Sequence, residues 1–141
     1  MTNRTILITG GSRGIGAAIA AEFATAGDRV AVHYSSAAND AQTVVDSLAG
    51  SGHIIIQADL RDPDAIKSMV DSVAQEFGVI DVLINNAGVF FDHPIETSSY
   101  EQWQQAWADT LGVNLVGAAN VTWCALQHMP CLLYTSPSPR D

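Results

Sequence analysis

Thr9-Gly10-Gly11-Ser12-Arg13-Gly14-Ile15-Gly16 decides how this chain is read. Before it stands Arg4-Thr5-Ile6-Leu7-Ile8, a largely apolar run of the length of a buried strand. After it comes Ala17-Ala18-Ile19-Ala20-Ala21-Glu22-Phe23, an Ala-rich helical stretch. A glycine motif carries information when it sits between a strand and a helix. Glycine reaches positive φ in a tight turn, and without a Cβ it lets a pyrophosphate approach the backbone. A helix opening near Gly14 aims free N–H groups and its positive dipole end at that anion. Gly16 lets the first helical turn lie close to the strands. The sequence thus points to a nucleotide phosphate site made of Gly10, Ser12, Arg13, Gly14, Ile15 and Gly16. The alternative is a glycine turn that is only a turn.

Working outward, strand and helix signals alternate. A first helix is predicted from Gly14 to Ala26, with Gly27 at its C′ position. Arg29–Tyr34 reads as a second strand, Asp40–Ala49 as a second helix, and His53–Ala58 as a third strand whose apolar run suits burial on both faces. Asp62-Pro63-Asp64 opens a third helix with an N-cap, a proline at N1 and acid in the first turn. Its stripe Ile66, Met69, Val70, Val73, Phe77 has helical spacing, and Gly78 ends it. Val79–Ile84 reads as a fourth strand. Ser98 and Glu101 have the spacing of a capping box for a fourth helix. That helix runs on to about Met129, with an irregularity near Gly112. Such alternation predicts an α/β Rossmann-type doubly wound parallel sheet with strand order 3-2-1-4. Ligands in such sheets sit beyond the carboxyl ends of the strands.

Composition narrows the partners. The chain has 141 residues, is 48% hydrophobic and carries a net charge of −9, with Lys67 its one lysine. That acidity argues against nucleic acid and anionic membranes as partners. No apolar run is long enough to span a bilayer, and the N-terminus lacks the pattern of a secretion signal. A cytoplasmic protein is the expectation. Cys124 and Cys131 form no metal or redox spacing, and His33, His53, His93 and His128 show no ligand spacing. The histidines are expected at the surface or half-buried.

Thr9-Gly10-x-x-x-Gly14-x-Gly16, Asp59-Leu60, Asn85-Asn86-Ala87-Gly88 and Asn114 together resemble the short-chain dehydrogenases/reductases. The resemblance runs from about Thr5 to Pro130 and leans toward the 3-oxoacyl-carrier-protein reductase type. It implies that Asp59 accepts a hydrogen bond from the adenine amino group, while Leu60 packs on the ring. Asn86, Ala87 and Gly88 would contact the cofactor and leave room beside its ribose. Asn114 matches the family's catalytic asparagine, whose backbone holds a water in a proton relay. A strand-end cap at Asp59 and a structural asparagine at 114 are the alternatives. The resemblance also implies a small carbonyl or alcohol substrate and a homo-oligomeric parent.

Cofactor choice is read from the end of the second strand. NAD-binding sheets carry an acidic residue there for the ribose 2′-OH. Here the strand ends His33-Tyr34-Ser35-Ser36, with no carboxylate to repel a 2′-phosphate. Arg13 can supply positive charge at that corner and Ser35 a hydroxyl. NADP is expected over NAD. Alternatively, Arg13 pairs with a surface acid and the serines cap the next helix.

The family's Tyr-x-x-x-Lys is not found. Tyr134 is followed four residues on by Ser138, and Lys67 belongs to the third helix. Residues 1–130 are read as an incomplete NAD(P)-binding domain. Residues 131–141 have no strand pattern and back-translate into the end of a transposase-based sequencing adapter, so a non-native tail is expected there. The reading is a fragment of an NADP-dependent short-chain oxidoreductase, itself inactive. An NADP-binding sensor module without catalysis, or a fragment without function, remains as the alternative.

Overall fold

The computed structural model describes residues 3–130, so the tail at 131–141 lies outside the described residues. Strands β1 (Thr5–Ile8), β2 (Arg29–Tyr34), β3 (Ile54–Gln57) and β4 (Val82–Ile84) form one parallel sheet in the order β3-β2-β1-β4. This is the doubly wound order anticipated from the alternation of elements. In register, Leu7 lies between Ala31 on β2 and Leu83 on β4, and Val32 sits beside Ile55 of β3.

Successive strand residues face opposite sides of a sheet. Ile6, Ile8, Val30 and Val32 therefore pack on one face, against α1 (Gly14–Thr25) and α2 (Ala38–Ser47) through Ala20, Ala24 and Ala41. Leu7 and Ala31 face the other way. They join Ile66, Met69, Val70, Val73 and Phe77 of α3 (Pro63–Phe77) and Val121, Cys124 and Ala125 of α5 (Ala118–Leu126). Each fully buried Ile, Leu or Val side chain contributes about 1.5–3 kcal/mol to holding these layers together. Helix α3 is built as its sequence indicates: Asp62 accepts hydrogen bonds from the amides of Asp64 (2.9 Å) and Ala65 (3.3 Å), Pro63 is at N1, and Gly78 ends it at φ +88°.

Four details differ from the sequence reading. Strand β3 is an edge strand, so Ile54, Ile55 and Ile56 are only half-buried. Strand β4 begins at Val82, preceded by Asp81, which is tied to Thr5 of β1 twice: its amide donates to the Thr5 carbonyl at 2.9 Å and its carboxylate accepts the Thr5 amide at 2.8 Å. Helix α2 starts at Ala38, two residues before Asp40, and ends at Ser47. The capping box of α4 (Tyr100–Leu111) uses Ser99 and Gln102, not Ser98 and Glu101. The Ser98 amide is already bonded to the Pro94 carbonyl at 2.9 Å, which makes Ser99 the first residue free to cap.

The irregularity expected near Gly112 is a π-helical segment, Gly112–Gly117, joining α4 to α5. Such wide turns inside helices are rare and frequent at functional sites. Gly117 shows what this one accomplishes. A Cβ there would meet the Leu60 carbonyl oxygen at 2.5 Å, so the helix lies directly on the loop after β3.

Candidate functional site

Beyond the carboxyl ends of the strands lies a cavity of about 330 Å³. Gly10, Ser12 and Arg13 line it from the turn after β1, and His33, Tyr34, Ser35, Ser36 and Ala37 from the end of β2. Asp59, Leu60 and Arg61 follow β3, while Asn86, Ala87, Gly88, Val89 and Phe91 follow β4. Val113 completes the wall from the π segment.

The turn is built around backbone that only glycine fills easily. Gly10 has φ +63°, and a Cβ on it would stand 2.8 Å from the Ala87 Cα. A Cβ on Gly16 would run into the Gly10 carbonyl and stand 2.6 Å from the Asn86 side-chain nitrogen. Asn86 closes this junction: its Nδ2 donates to the carbonyls of Thr9 (3.0 Å) and Gly10 (2.9 Å). The buried Thr9 hydroxyl accepts the amides of Asn86 (3.1 Å) and Ala87 (3.0 Å). The ends of β1 and β4 are thereby joined, and Asn85 reaches the other way, donating to the Thr122 hydroxyl at 2.8 Å.

Helix α1 opens at this turn without a side-chain cap on its first amides, unlike α3 and α4. Uncapped first-turn N–H groups are donors for an anion. Arg13, the N-cap residue, is exposed and makes no ion pair among the described residues. Nor do the serines after β2 cap the next helix, since Ala37 stands at the N-cap of α2 with no side-chain bond.

The sequence profile of the short chain dehydrogenase family matches residues 4–132. The chain belongs to this family. Its similarity to the 3-oxoacyl-(acyl-carrier-protein) reductase FabG of Staphylococcus aureus is 38% identity over 128 residues, which is 89% of the chain and 50% of that protein. The short-chain dehydrogenase/reductase FrzI of Cladobotryum is 33% identical over 99% of the chain and 51% of its own length. Among solved structures, a short chain dehydrogenase of Burkholderia cenocepacia in complex with NADP superposes with a TM-score of 0.78 at 38% identity. It is matched over 90% of this chain and 51% of its own. A blue fluorescent protein from a metagenomic library, in complex with NADPH, gives 0.78 at 34% identity, over 90% and 51%. The chain spans about half the length of the curated relatives it matches.

Within this short chain dehydrogenase fold, the residues singled out from sequence divide in two. Gly10, Ser12, Arg13, Ser35, Asp59, Leu60, Asn86, Ala87 and Gly88 share the cavity. Gly14 and Gly16 belong to the opening of α1 beside it. Ile15 is 75% exposed and lines a separate groove with Arg4, Ile19 and Phe23. Asn114 lies in the π segment next to Val113 of the cavity wall, exposed and outside the cavity lining, with its side chain bonded to Val89.

Arg61 and His33 are among the cavity residues that the sequence did not single out. Arg61 forks onto Asp59, with Nε 3.0 Å from Oδ1 and Nη2 2.8 Å from Oδ2, and reaches Asp109 of α4 through Nη1 at 3.2 Å. Its guanidinium holds the Asp59 carboxyl below the usual carboxylate range. The Asp59-x-Arg61 spacing is visible in the sequence; the third partner, on a distant helix, is not. His33 corrects the expectation that all the histidines lie at the surface or half-buried: it is only 2% exposed. Strand β2 is central and covered on both faces, so every residue in its middle is forced inside. No helix among the described residues is long and apolar enough to cross a membrane.

Proposed function

We propose that the chain is the cofactor-binding part of a cytoplasmic NADP-dependent short-chain oxidoreductase. The parent moves a hydride between the nicotinamide and a carbonyl or alcohol carbon. The observation that carries the cofactor choice is Arg13, exposed and without an ion pair among the described residues, sharing a cavity with Ser35 and with no carboxylate at the end of β2. The uncapped opening of α1, with Gly14 at φ +57° and open space where its Cβ would stand, fits a pyrophosphate. Solved relatives bound to NADP and NADPH support the same choice.

In this reading, the amides of Gly14, Ile15 and Gly16 and the Ser12 hydroxyl hold the pyrophosphate. Arg13 and Ser35 hold the 2′-phosphate. Asp59, its carboxylate kept ionised by Arg61, accepts from the adenine amino group, and Leu60 packs on the ring. Asn86, Ala87 and Gly88 border the ribose. When bound, the cofactor supplies the hydride chemistry. Asn114 offers a main-chain carbonyl to a water in a proton relay, its side chain being used by Val89. A carbonyl or alcohol substrate of the 3-oxoacyl kind and a homo-oligomeric parent belong to the same proposal. The exposed Leu115, Val116 and Trp123 offer apolar surface for assembly.

Calorimetric titration with NADPH and NADH tests the binding. NADPH binding more tightly than NADH supports the proposal, and no binding of either at millimolar concentration overturns it.

A further inference from the structure

Asn86 holds the glycine turn from the β4 side, and His33 holds it from the β2 side. Three hydrogen bonds converge there. The Gly10 amide donates to His33 Nδ1 at 3.0 Å, the Gly11 amide donates to the His33 carbonyl at 2.9 Å, and His33 Nε2 lies 2.9 Å from the Ala58 carbonyl. Their chemistry fixes the state of the ring. A backbone amide only donates, so Nδ1 must be bare. A backbone carbonyl only accepts, so Nε2 must carry the proton. The ring is therefore a neutral imidazole with its hydrogen on Nε2.

We infer that neutral His33 is a positioning residue that sets the glycine turn for the dinucleotide, and that proton uptake on Nδ1 releases the turn and weakens cofactor binding. This rests on the proposed cofactor site and adds its regulation. A second ring proton would point at the Gly10 N–H, donor against donor, and would place a charge in a buried site. Burial already pushes the His33 pKa below its ordinary value, in the direction the geometry requires. The ionisable groups facing this corner are Arg13 from the turn, Tyr34 beside it on β2, and the Asp59–Arg61 pair after β3. The segments after β4 and from the π turn contribute no ionisable group to the wall. Asp59 is held by Arg61, so no free carboxylate among these groups stands ready to stabilise an imidazolium.

Two substitutions divide the work of the ring. His33→Asn keeps an acceptor at the position of Nδ1, cannot titrate, and loses the bond to Ala58. His33→Gln reaches Ala58 but leaves the Gly10 amide without its acceptor. NADPH dissociation constants are measured from pH 8 to pH 5 for the 141-residue protein and both variants. Below the His33 titration the wild-type constant should rise about tenfold per pH unit relative to that of the Asn variant. All other titrating groups, the 2′-phosphate included, cancel in that ratio. The Gln variant should bind more weakly than the Asn variant throughout. A wild-type to Asn ratio that stays flat overturns the inference. Nitrogen NMR of the ring, without cofactor, reads the tautomer directly and should show a scalar coupling between the Gly10 amide nitrogen and Nδ1. A protonated Nδ1 at pH 7 overturns the inference even if NADPH binds. Failure of the wild type to bind NADPH, with the coupling present, overturns the cofactor site and with it the inferred regulation.

Discussion

The Asn114 side chain closes both of its hydrogen bonds on Val89, with Oδ1 accepting the Val89 amide and Nδ2 donating to the Val89 carbonyl, each at 2.8 Å. One donor and one acceptor of the amide group thereby hold the loop after β4 against the π segment. Asn114→Ala removes both bonds and should destabilise the protein by about 1–3 kcal/mol, at roughly 0.5–1.5 kcal/mol for each hydrogen bond. Asn114→Asp keeps the acceptor but sets a carboxylate oxygen against the Val89 carbonyl, so it should not restore the loss. Urea unfolding of both variants checks this, and an Asp variant as stable as wild type contradicts it.

Gly14 and Gly16 should respond to different degrees to the same methyl group. A Cβ at Gly16 meets the Gly10 carbonyl and the Asn86 amide, neither of which can move without parting β1 from β4. A Cβ at Gly14 meets nothing within 4 Å, and its cost is the positive φ alone, about 1–2 kcal/mol. Gly16→Ala should therefore be the more damaging in a denaturant melt. Gly14→Ala should fold but bind NADPH more weakly, because its methyl stands at the mouth of α1. Equal stability losses at the two positions would count against the packing described for the turn.

Stability should fall with acid through His33. Its folded-state pKa lies below the ordinary value of 6.5, because burial penalises the charged ring. Between the two values the unfolded chain binds more protons than the folded one, so stability rises with pH there. The contribution is complete above about pH 6.5 and is lost as the pH drops toward the folded-state value. Thermal melts of wild type and His33→Asn between pH 8 and pH 5 should converge as the pH falls. Parallel curves would show that His33 is not the group responsible.

Arg61 offers a separation of folding from binding. Its pairs with Asp59 and Asp109 are largely exposed, and such pairs contribute about 0–1 kcal/mol. Arg61→Ala should change the melting temperature little. It frees the Asp59 carboxylate from its fork, so NADPH affinity should drop several-fold. Unchanged affinity would argue that Asp59 needs no positioning to meet the adenine.

What could be read from sequence was local. Asp62-Pro63 and Gly78 delimit α3 because caps act within a single turn of helix. Ser98-Ser99-Tyr100-Glu101-Gln102 was ambiguous because it holds two overlapping capping boxes, and the choice depends on the turn at Pro94. The half-burial of β3 follows from its edge position, a property of topology that its Ile54-Ile55-Ile56 run does not carry. The cavity residues were legible where the glycine, aspartate and asparagine motifs fall at strand ends. His33 was not: its side-chain partners are 23 and 25 residues away, and only the central place of β2 forces it inside. Ile15 was placed correctly on α1, yet its exposed side chain faces a different groove.

In the proposed function, Arg13 and the carboxylate-free end of β2 select NADP. The most direct measurement is a melting-temperature comparison with NADPH and NADH at equal low concentration, repeated with Arg13→Ala. A ligand at about a hundred times its dissociation constant stabilises the folded state by roughly 2.7 kcal/mol, which is a shift of several degrees. NADPH should give that shift, NADH much less, and added salt should narrow the gap because it rests on an exposed charge. Arg13→Ala should remove most of it. A larger shift with NADH, or a gap that survives Arg13→Ala, would contradict the account.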